Sequence, residues 1–186
     1  GEAYSFIPEL PNNPEIYGDS VVCPQTFKNY SFACIPGVSY FWQVTGGIIK
    51  SGQFTSEIIV EWPNVGSCQV SLNLTSSTFS CNLSSFTFNI EVLPRISILG
   101  TTNICEGLNS IYQDLNNNVS EWNINNGTII NPTIQPFISN QIEVIWDQGA
   151  GPATIYAVPR QSSIYCEEST SINIIVNEKP QTPSGI

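Results

Sequence analysis

Cysteine is the residue type in this sequence with the broadest chemistry, since the chain contains six cysteines and no histidine. A thiol can act as a nucleophile, ligate a metal ion or form a disulfide. Without histidine or a close C-x-x-C pair, a structural zinc site is not expected. Disulfides are the remaining use, and they persist outside the reducing cytoplasm. The cysteines therefore predict an exported protein that contains disulfide bonds.

Carboxylates are the second group that could do chemistry, because a pair of them can share general acid and base roles. Glu57 and Glu61 have the same parity in a predicted strand, so both side chains lie on one side of it. The opposite parity carries Ile58, Val60 and Trp62. We expect that apolar side to face the core and the glutamates to face solvent. The sequence therefore predicts no catalytic residue, no cofactor and no enzymatic activity.

Oxygen-bearing side chains near the start of the chain are the third group, because oxygen ligands suit calcium. Asn12, Asn13, Glu15 and Asp19 lie close together in the sequence. They do not form a D-x-D-x-D loop or a comparable spacing. We therefore predict no metal site.

Cysteines and tryptophans recur in the same order in the two halves of the chain. Each half has a cysteine, two tryptophans and a further cysteine: Cys23, Trp42, Trp62 and Cys81, then Cys105, Trp122, Trp146 and Cys166. The segments SEIIVEW and NQIEVIW end at the second tryptophans, and in SVVCPQTFKNY and TNICEGLNSIY a tyrosine follows the first cysteine. This self-similarity predicts two copies of one unit.

The repeat divides the chain into four segments. We assign residues 16–94 to the first repeat and residues 95–179 to the second. Residues 1–15 are interpreted as the end of a preceding unit plus a proline-rich linker, and residues 180–186 as a linker into a further repeat. Proline-rich linkers are stiff, so this organisation predicts a tandem array.

Each repeat has the pattern of short β-strands. In the segment 38–45, VSYFWQVT, alternate apolar residues share one face of a predicted strand. Gly46 and Gly47 then indicate a hairpin, as do Asn126 and Gly127, since a type I′ turn needs positive φ at both central residues. Several strands within about 80 residues are typical of a small sandwich. The sequence predicts an all-β protein with two tandem antiparallel β-sandwich domains.

The repeat also predicts which cysteines pair. We expect three disulfides: Cys23–Cys81, Cys34–Cys68 and Cys105–Cys166. The outer two tie the first strand of a unit to a late one, and each should stabilise its unit by about 4 kcal/mol. Cys34 and Cys68 both lie in the first unit and both lack a counterpart in the second, as expected if they bond to each other.

These landmarks resemble the PKD-like, immunoglobulin-like repeats of Bacteroidota secreted proteins. The residues that carry the resemblance in the first unit are Cys23, Trp42, Gly46, Gly47, Val60, Trp62 and Cys81. Those in the second unit are Cys105, Trp122, Asn126, Gly127, Val144, Trp146 and Cys166. Asn126 departs from the usual glycine, and the first unit has the additional Cys34 and Cys68.

The resemblance implies an extracellular, cell-surface location and export from a Gram-negative bacterium by type IX secretion. It also implies membership of long surface proteins, including gliding-motility adhesins, in which such repeats act as stalks or spacers. Since fold does not fix function, a carbohydrate- or protein-binding accessory module of a secreted enzyme is the alternative.

Charge and hydropathy limit the partners. The net charge is −10, which disfavours nucleic acid because phosphate binding relies on clustered Lys and Arg. No apolar run approaches the roughly 20 residues of a membrane helix, so direct membrane insertion is not expected. The partners that remain are adjacent repeats of the same chain, other surface proteins or polysaccharide.

Two side chains outside the repeat pattern could mark contacts. Phe41 has the opposite parity to Trp42, so it points outward, towards a neighbouring domain or ligand, or lies buried under a loop. The segment DSV resembles the D-S/T-aliphatic O-glycosylation motif of Bacteroidota, which would modify Ser20. The tryptophans could stack on sugars, but their repeated positions on apolar strand faces favour core packing.

Overall fold

Within the residues that the computed structural model describes, the alternating apolar residues form fourteen β-strands. The structure describes residues 10, 12–76, 82–115, 118–160 and 164–180. The chain divides into two compact units, Gly1–Leu93 and Pro94–Ile186. The flanking unit and linkers that we predict for residues 1–15 and 180–186 fall mostly outside the described residues and stay predictions.

The first unit contains seven of these strands. They are β1 (Val21–Val22), β2 (Thr26–Ser31), β3 (Val38–Thr45), β4 (Ile48–Ser51), β5 (Glu57–Trp62), β6 (Gly66–Ser76) and β7 (Asn82–Val92). One sheet has the order β1-β7-β6-β3 and the other has the order β2-β5-β4. All neighbouring strands are antiparallel except β1 and β7, which pair in parallel.

The second unit repeats this arrangement strand for strand. Its strands are β8 (Asn103–Cys105), β9 (Asn109–Gln113), β10 (Val119–Asn125), β11 (Thr128–Asn131), β12 (Gln141–Ile145), β13 (Gly151–Pro159) and β14 (Thr170–Asn177). The sheet orders are β8-β14-β13-β10 and β9-β12-β11, again with the first and last strands parallel. The predicted fold class, two tandem immunoglobulin-like β-sandwiches, is confirmed.

Each unit has its own core, built from the inward face of every strand. In β5 the side chains of Ile58, Val60 and Trp62 are fully buried, as are Ile142 and Val144 of β12 and Trp146 directly after it. All four tryptophans are at most 1% exposed. Burying a side chain of this size stabilises the fold by roughly 3 kcal/mol. The tryptophans are core residues, as the repeat pattern predicts.

The predicted hairpins at the glycine turns are wrong. β3 and β4 lie in different sheets, so Gly46 and Gly47 carry the chain from one sheet to the other. Gly46 has φ of 80° and Asn126 has φ of 61°, but the second residue of each turn is not left-handed. A Cβ on Gly47 would lie 2.6 Å from the Trp62 ring. Close packing on tryptophan, not a type I′ turn, requires glycine there.

Candidate functional sites

Two of the three predicted cysteine pairs do not form. Among the described cysteines, Cys23 and Cys166 are disulfide-bonded, and Cys34, Cys68 and Cys105 have free thiols. Cys23 follows β1 directly and is buried. Cys81 lies outside the described residues, so the Cys23–Cys81 bond stays a prediction.

Cys34 and Cys68 lie at opposite ends of the first sandwich. The Tyr40 hydroxyl donates to the carbonyl before Cys34 at 2.9 Å and accepts from the N–H after it at 2.7 Å. Tyr40 pairs with Leu74 across the sheet. Cys68 lies six residues from Leu74 along β6, a distance of about 20 Å. A disulfide needs Cα atoms within about 7 Å, so the structure contradicts the predicted Cys34–Cys68 bond.

The predicted Cys105–Cys166 bond is contradicted for the same geometric reason. Cys105 pairs with Asn177 at the end of β14. Cys166 precedes Thr170, the residue at which β14 begins. A strand of eight residues separates its ends by about 23 Å. Cys105 therefore keeps its free thiol, and Cys166 is disulfide-bonded but not to Cys105.

The carboxylates predicted to face solvent do so. Glu57 is exposed, and Glu61 forms an ion pair with Lys50 at 2.9 Å. Near the first turn, Asp19 forms an ion pair with Lys28 at 3.0 Å. Within the described ranges, no group of three or more His, Cys, Asp or Glu side chains is placed to hold a metal ion.

Ser20, the candidate O-glycosylation site, has an exposed side chain. It borders a shallow depression of about 360 Å³ that Ser67, Asn89 and Glu91 also line. Its carbonyl accepts a hydrogen bond from the Glu91 N–H at 2.8 Å, which fixes the backbone beside β7. The hydroxyl is therefore accessible, and its modification stays a prediction.

Each unit contains a buried tyrosine. The sequence repeat includes its position but does not reveal what its side chain contacts. The Tyr30 hydroxyl donates to the Asp19 carbonyl at 3.0 Å, and the Tyr112 hydroxyl donates to the Thr101 carbonyl at 2.8 Å. Both side chains are fully buried. A Cβ on Gly18 would lie 2.3 Å from the Tyr30 ring, and Gly100 has the same relation to Tyr112. The repeated glycine and tyrosine are one packing unit.

Phe41 points outward, which resolves the two alternatives left open by its parity. Its side chain is 44% exposed, on the outer face of the four-stranded sheet. Its neighbour Phe54 lies in the loop between β4 and β5, where no strand alternation marks it in the sequence. Phe54 is 74% exposed, and the two ring centroids are 6.5 Å apart. The described surface therefore presents an aromatic pair at the edge strand β3.

The outer face around Phe41, here called the Phe41 face, is polar. Its cross-strand rows are Phe41–Asn73–Ser85, Gln43–Ser71–Thr87, Thr45–Gln69–Asn89 and Ser67–Glu91. The side chains bond one another: Gln69 Nε2 donates to Asn89 Oδ1 at 3.0 Å, and Ser71 Oγ donates to Gln69 Oε1 at 3.3 Å. The face is a flat array of amides and hydroxyls beside two exposed rings.

The second unit has a different surface at the equivalent place. Glu121 occupies the position of Phe41, and a depression of about 360 Å³ lies beside it, lined by Glu121, Asn123, Gln135, Pro136 and Phe137. Phe137 is half-buried, and its carbonyl accepts a hydrogen bond from the Trp122 N–H at 3.1 Å. The aromatic pair therefore belongs to the first unit alone among the described residues.

Fold and surface together define a pair of all-β, immunoglobulin-like domains. No protein-family description and no curated protein matches the chain. The described part contains no helix long and apolar enough to cross a membrane.

Several solved structures are similar. The D00-D0 domain of Intimin matches with 10% identity and a TM-score of 0.40, over 88% of this chain and 99% of that chain. A SusE-like surface-located polysaccharide-binding protein from the Bacteroides thetaiotaomicron heparin utilisation locus matches with 11% identity and a TM-score of 0.44, over 91% of this chain and 35% of that chain.

A third match is SGBP-B of the Bacteroides ovatus mixed-linkage glucan utilization locus, solved with a heptasaccharide. It has 12% identity and a TM-score of 0.33, over 94% of this chain and 46% of that chain. This chain therefore spans less than half the length of each Bacteroides protein. At these identities the likeness concerns the fold alone.

Proposed function

We propose that this chain is a non-catalytic structural and adhesive segment of a large exported cell-surface protein, in which its units act as stalk or spacer modules. One observation carries the proposal: the first and last strands of each unit pair in parallel.

Parallel pairing lets a unit resist a pull along the chain. The chain enters at the start of β1 and leaves at the end of β7, which are opposite ends of a parallel pair. A pull slides the two strands past each other and loads their hydrogen bonds together. These bonds run from the Glu91 N–H to the Ser20 carbonyl at 2.8 Å and from the Leu93 N–H to the Val22 carbonyl at 3.0 Å.

The second unit has the same clamp. The Ile175 N–H donates to the Thr102 carbonyl at 2.8 Å, and the Glu106 N–H donates to the Asn177 carbonyl at 2.8 Å. The features that the two units share include this clamp, the buried tyrosine and tryptophan positions, and the glycines that pack on those rings. The two units share their internal packing but differ in their exposed residues. This difference is expected if the common function of the units is to bear force.

The resemblance to PKD-like repeats supports three more specific parts of the proposal. They are export by type IX secretion from a Gram-negative bacterium, a place in a gliding-motility or related adhesin, and contact with adjacent repeats of the same chain. O-glycosylation of Ser20 would fit that origin, because its hydroxyl is exposed. Mass spectrometry of the protein from its native host, with added mass on the Ser20 peptide, tests the modification.

Single-molecule force spectroscopy of the full chain in reducing buffer tests the mechanical role. We expect two unfolding events, each releasing roughly 300 Å of chain. Glu91→Pro removes the N–H that binds the Ser20 carbonyl, so it should lower the force of one event. Glu91→Ala removes the same side chain and keeps the N–H. Equal forces for these two variants would contradict the clamp.

The alternative function is a carbohydrate- or protein-binding accessory module of a secreted enzyme. The exposed pair of Phe41 and Phe54 favours this alternative, because two adjacent exposed rings form an apolar surface that a partner can cover. Binding and mechanical roles can coexist in one chain, since the clamp and the Phe41 face use different atoms.

A further inference from the structure

We infer that the Phe41 face of the first unit is a binding platform for a neutral oligosaccharide. A sugar ring offers apolar C–H faces and a rim of uncharged hydroxyls. A site for it needs exposed aromatic rings beside hydrogen-bonding groups without charge. The inference does not rest on the stalk role, so the binding test and the force test can fail independently.

The first requirement is met by the rings of Phe41 and Phe54. Their planes are inclined by 34° and their centroids are 6.5 Å apart. Neither ring is covered by the core, since the two side chains are 44% and 74% exposed. Two adjacent rings that both remain in water form an apolar surface with hydrogen-bonding side chains beside it.

The loop that carries Phe54 is held in place on both sides of that residue. Gln53 Nε2 donates to the Trp42 carbonyl at 2.8 Å, and the Trp42 indole N–H donates to the Thr55 carbonyl at 2.8 Å. The Thr55 N–H also donates to the Gly52 carbonyl at 2.9 Å. Because Trp42 itself is buried, these bonds anchor the loop to the core. The ring is preorganised, which lowers the entropy lost on binding.

The second requirement is met by the rows beside the rings. Gln43, Asn73, Gln69 and Asn89 present amides, and apart from Phe41 the remaining positions in the first three rows are serine and threonine. Only Glu91, in the last row, carries a charge. The net charge of −10 repels anionic ligands, and a face without charge near the rings offers no ion pair to a cationic one. The ligand that suits this face is therefore neutral. From Phe41 to Thr45 the rows extend about 13 Å, enough for more than one sugar ring.

The second unit indicates that the platform is not a requirement of the fold. It has the same strands and the same sheet order, yet Glu121 replaces Phe41 and the loop phenylalanine, Phe137, is half-buried. The exposed pair is therefore present in one copy of a shared framework and absent from the described part of the other. This is the pattern expected of a binding function.

Affinity electrophoresis of the full chain tests the inference, with gels that contain hydroxyethylcellulose, arabinoxylan, galactomannan or pullulan. We expect at least one of these neutral polysaccharides to retard the wild-type protein. Phe41→Ala and Phe54→Ala should each weaken that binding about two- to tenfold, as expected for loss of one stacked ring. Phe27→Ala is the matched control, because Phe27 is 59% exposed on the other sheet.

Three results would overturn the inference. They are no retardation by any of the four neutral gels, equal losses in all three phenylalanine variants, or retardation by heparin alone. Near-ultraviolet circular dichroism of each variant reports whether the tryptophan cores are intact. A loss of binding with an unchanged spectrum is then a loss of the site.

Discussion

The ring of Tyr30 meets the indole of Trp62 edge-on, with centroids 5.8 Å apart and planes at 87°. The second unit repeats this contact between Tyr112 and Trp146 at 6.0 Å and 85°. Edge-to-face pairs of this kind contribute about 1 kcal/mol beyond the area they bury. The tyrosine also bonds the segment before the first strand, so one side chain connects the core to the place where the chain enters the unit.

Removing the tyrosine hydroxyl should therefore destabilise each unit. We expect Tyr30→Phe and Tyr112→Phe each to lower the free energy of unfolding by about 1 kcal/mol, the usual contribution of one hydrogen bond. Urea denaturation measures the change. Tyr156→Phe is the control, because Tyr156 is 42% exposed and should tolerate the substitution. An effect at Tyr156 equal to that at Tyr30 would contradict this role of the hydroxyl.

Replacing a turn glycine by alanine, which adds a single methyl group, should destabilise its unit. A Cβ at Gly47 would lie 2.6 Å from the Trp62 ring, and a Cβ at Gly127 would lie 2.9 Å from the Trp146 ring. Overpacking a buried contact costs about 1–3 kcal/mol. We expect thermal denaturation to show a lower melting temperature for Gly47→Ala and Gly127→Ala, with the larger loss at Gly47.

The neighbouring substitution Thr45→Ala is the control for Gly47→Ala, since Thr45 is exposed one residue before the turn. If Gly47→Ala and Thr45→Ala had the same melting temperature, the packing of Gly47 on Trp62 would not be the reason for glycine.

The buried tyrosines should make stability depend on alkaline pH. Burial raises the pKa of Tyr30 from its ordinary 10.0 to about 12, and it raises the pKa of Tyr112 as well. Between these values the folded state keeps protons that the unfolded state has released, so stability falls as pH rises. We expect the contribution of these groups to be complete below about pH 10 and to be lost towards pH 12.

Urea titrations at a series of pH values measure this decline. A chain with both Tyr30→Phe and Tyr112→Phe should lose less stability over the same pH interval than the wild type. If both proteins declined with the same slope, other groups would be responsible for the alkaline sensitivity.

The thiols should react at different rates. Cys34 is exposed, whereas Cys68 is buried and burial raises the pKa of its thiol. Since the thiolate is the reactive form, iodoacetamide should modify Cys34 first and Cys68 only slowly before unfolding. Intact mass against time, followed by peptide mapping without reduction, measures the order. A peptide that joins Cys34 to Cys68, or Cys105 to Cys166, would contradict the free thiols of this structure.

The strands and the core could be predicted from the sequence, but the cysteine pairs could not. Alternation fixes which side of a strand is buried, so Trp62 and Glu61 were assigned to opposite faces correctly. Alternation does not reveal which ends of two strands are adjacent. The sequence pattern therefore predicts a disulfide between Cys105 and Cys166, although the length of β14 separates them. Order in the sequence carries no information about that distance.

Loop residues and turn geometry are the other features that cannot be predicted from the sequence. Gly46 and Gly47 have the composition of a hairpin turn, and only the sheet assignment of β3 and β4 reveals a crossing between sheets. Phe54 follows no periodic pattern, because its position is set by hydrogen bonds from Gln53 and Trp42. Alternation in the sequence predicts which residues lie in the core of a sandwich. The exposed site cannot be predicted in this way, because it depends on contacts between segments that are distant in the sequence.

The parallel pairing of β1 with β7 also bears on how such a chain can evolve. Each unit receives the chain at one end of its first strand and releases it at the opposite end of its last strand. A gene segment that encodes one unit can therefore be duplicated in place, because the new copy begins where the old one stops. Selection can then alter the surface of either copy independently, as Phe41 in the first unit and Glu121 at the equivalent position of the second illustrate.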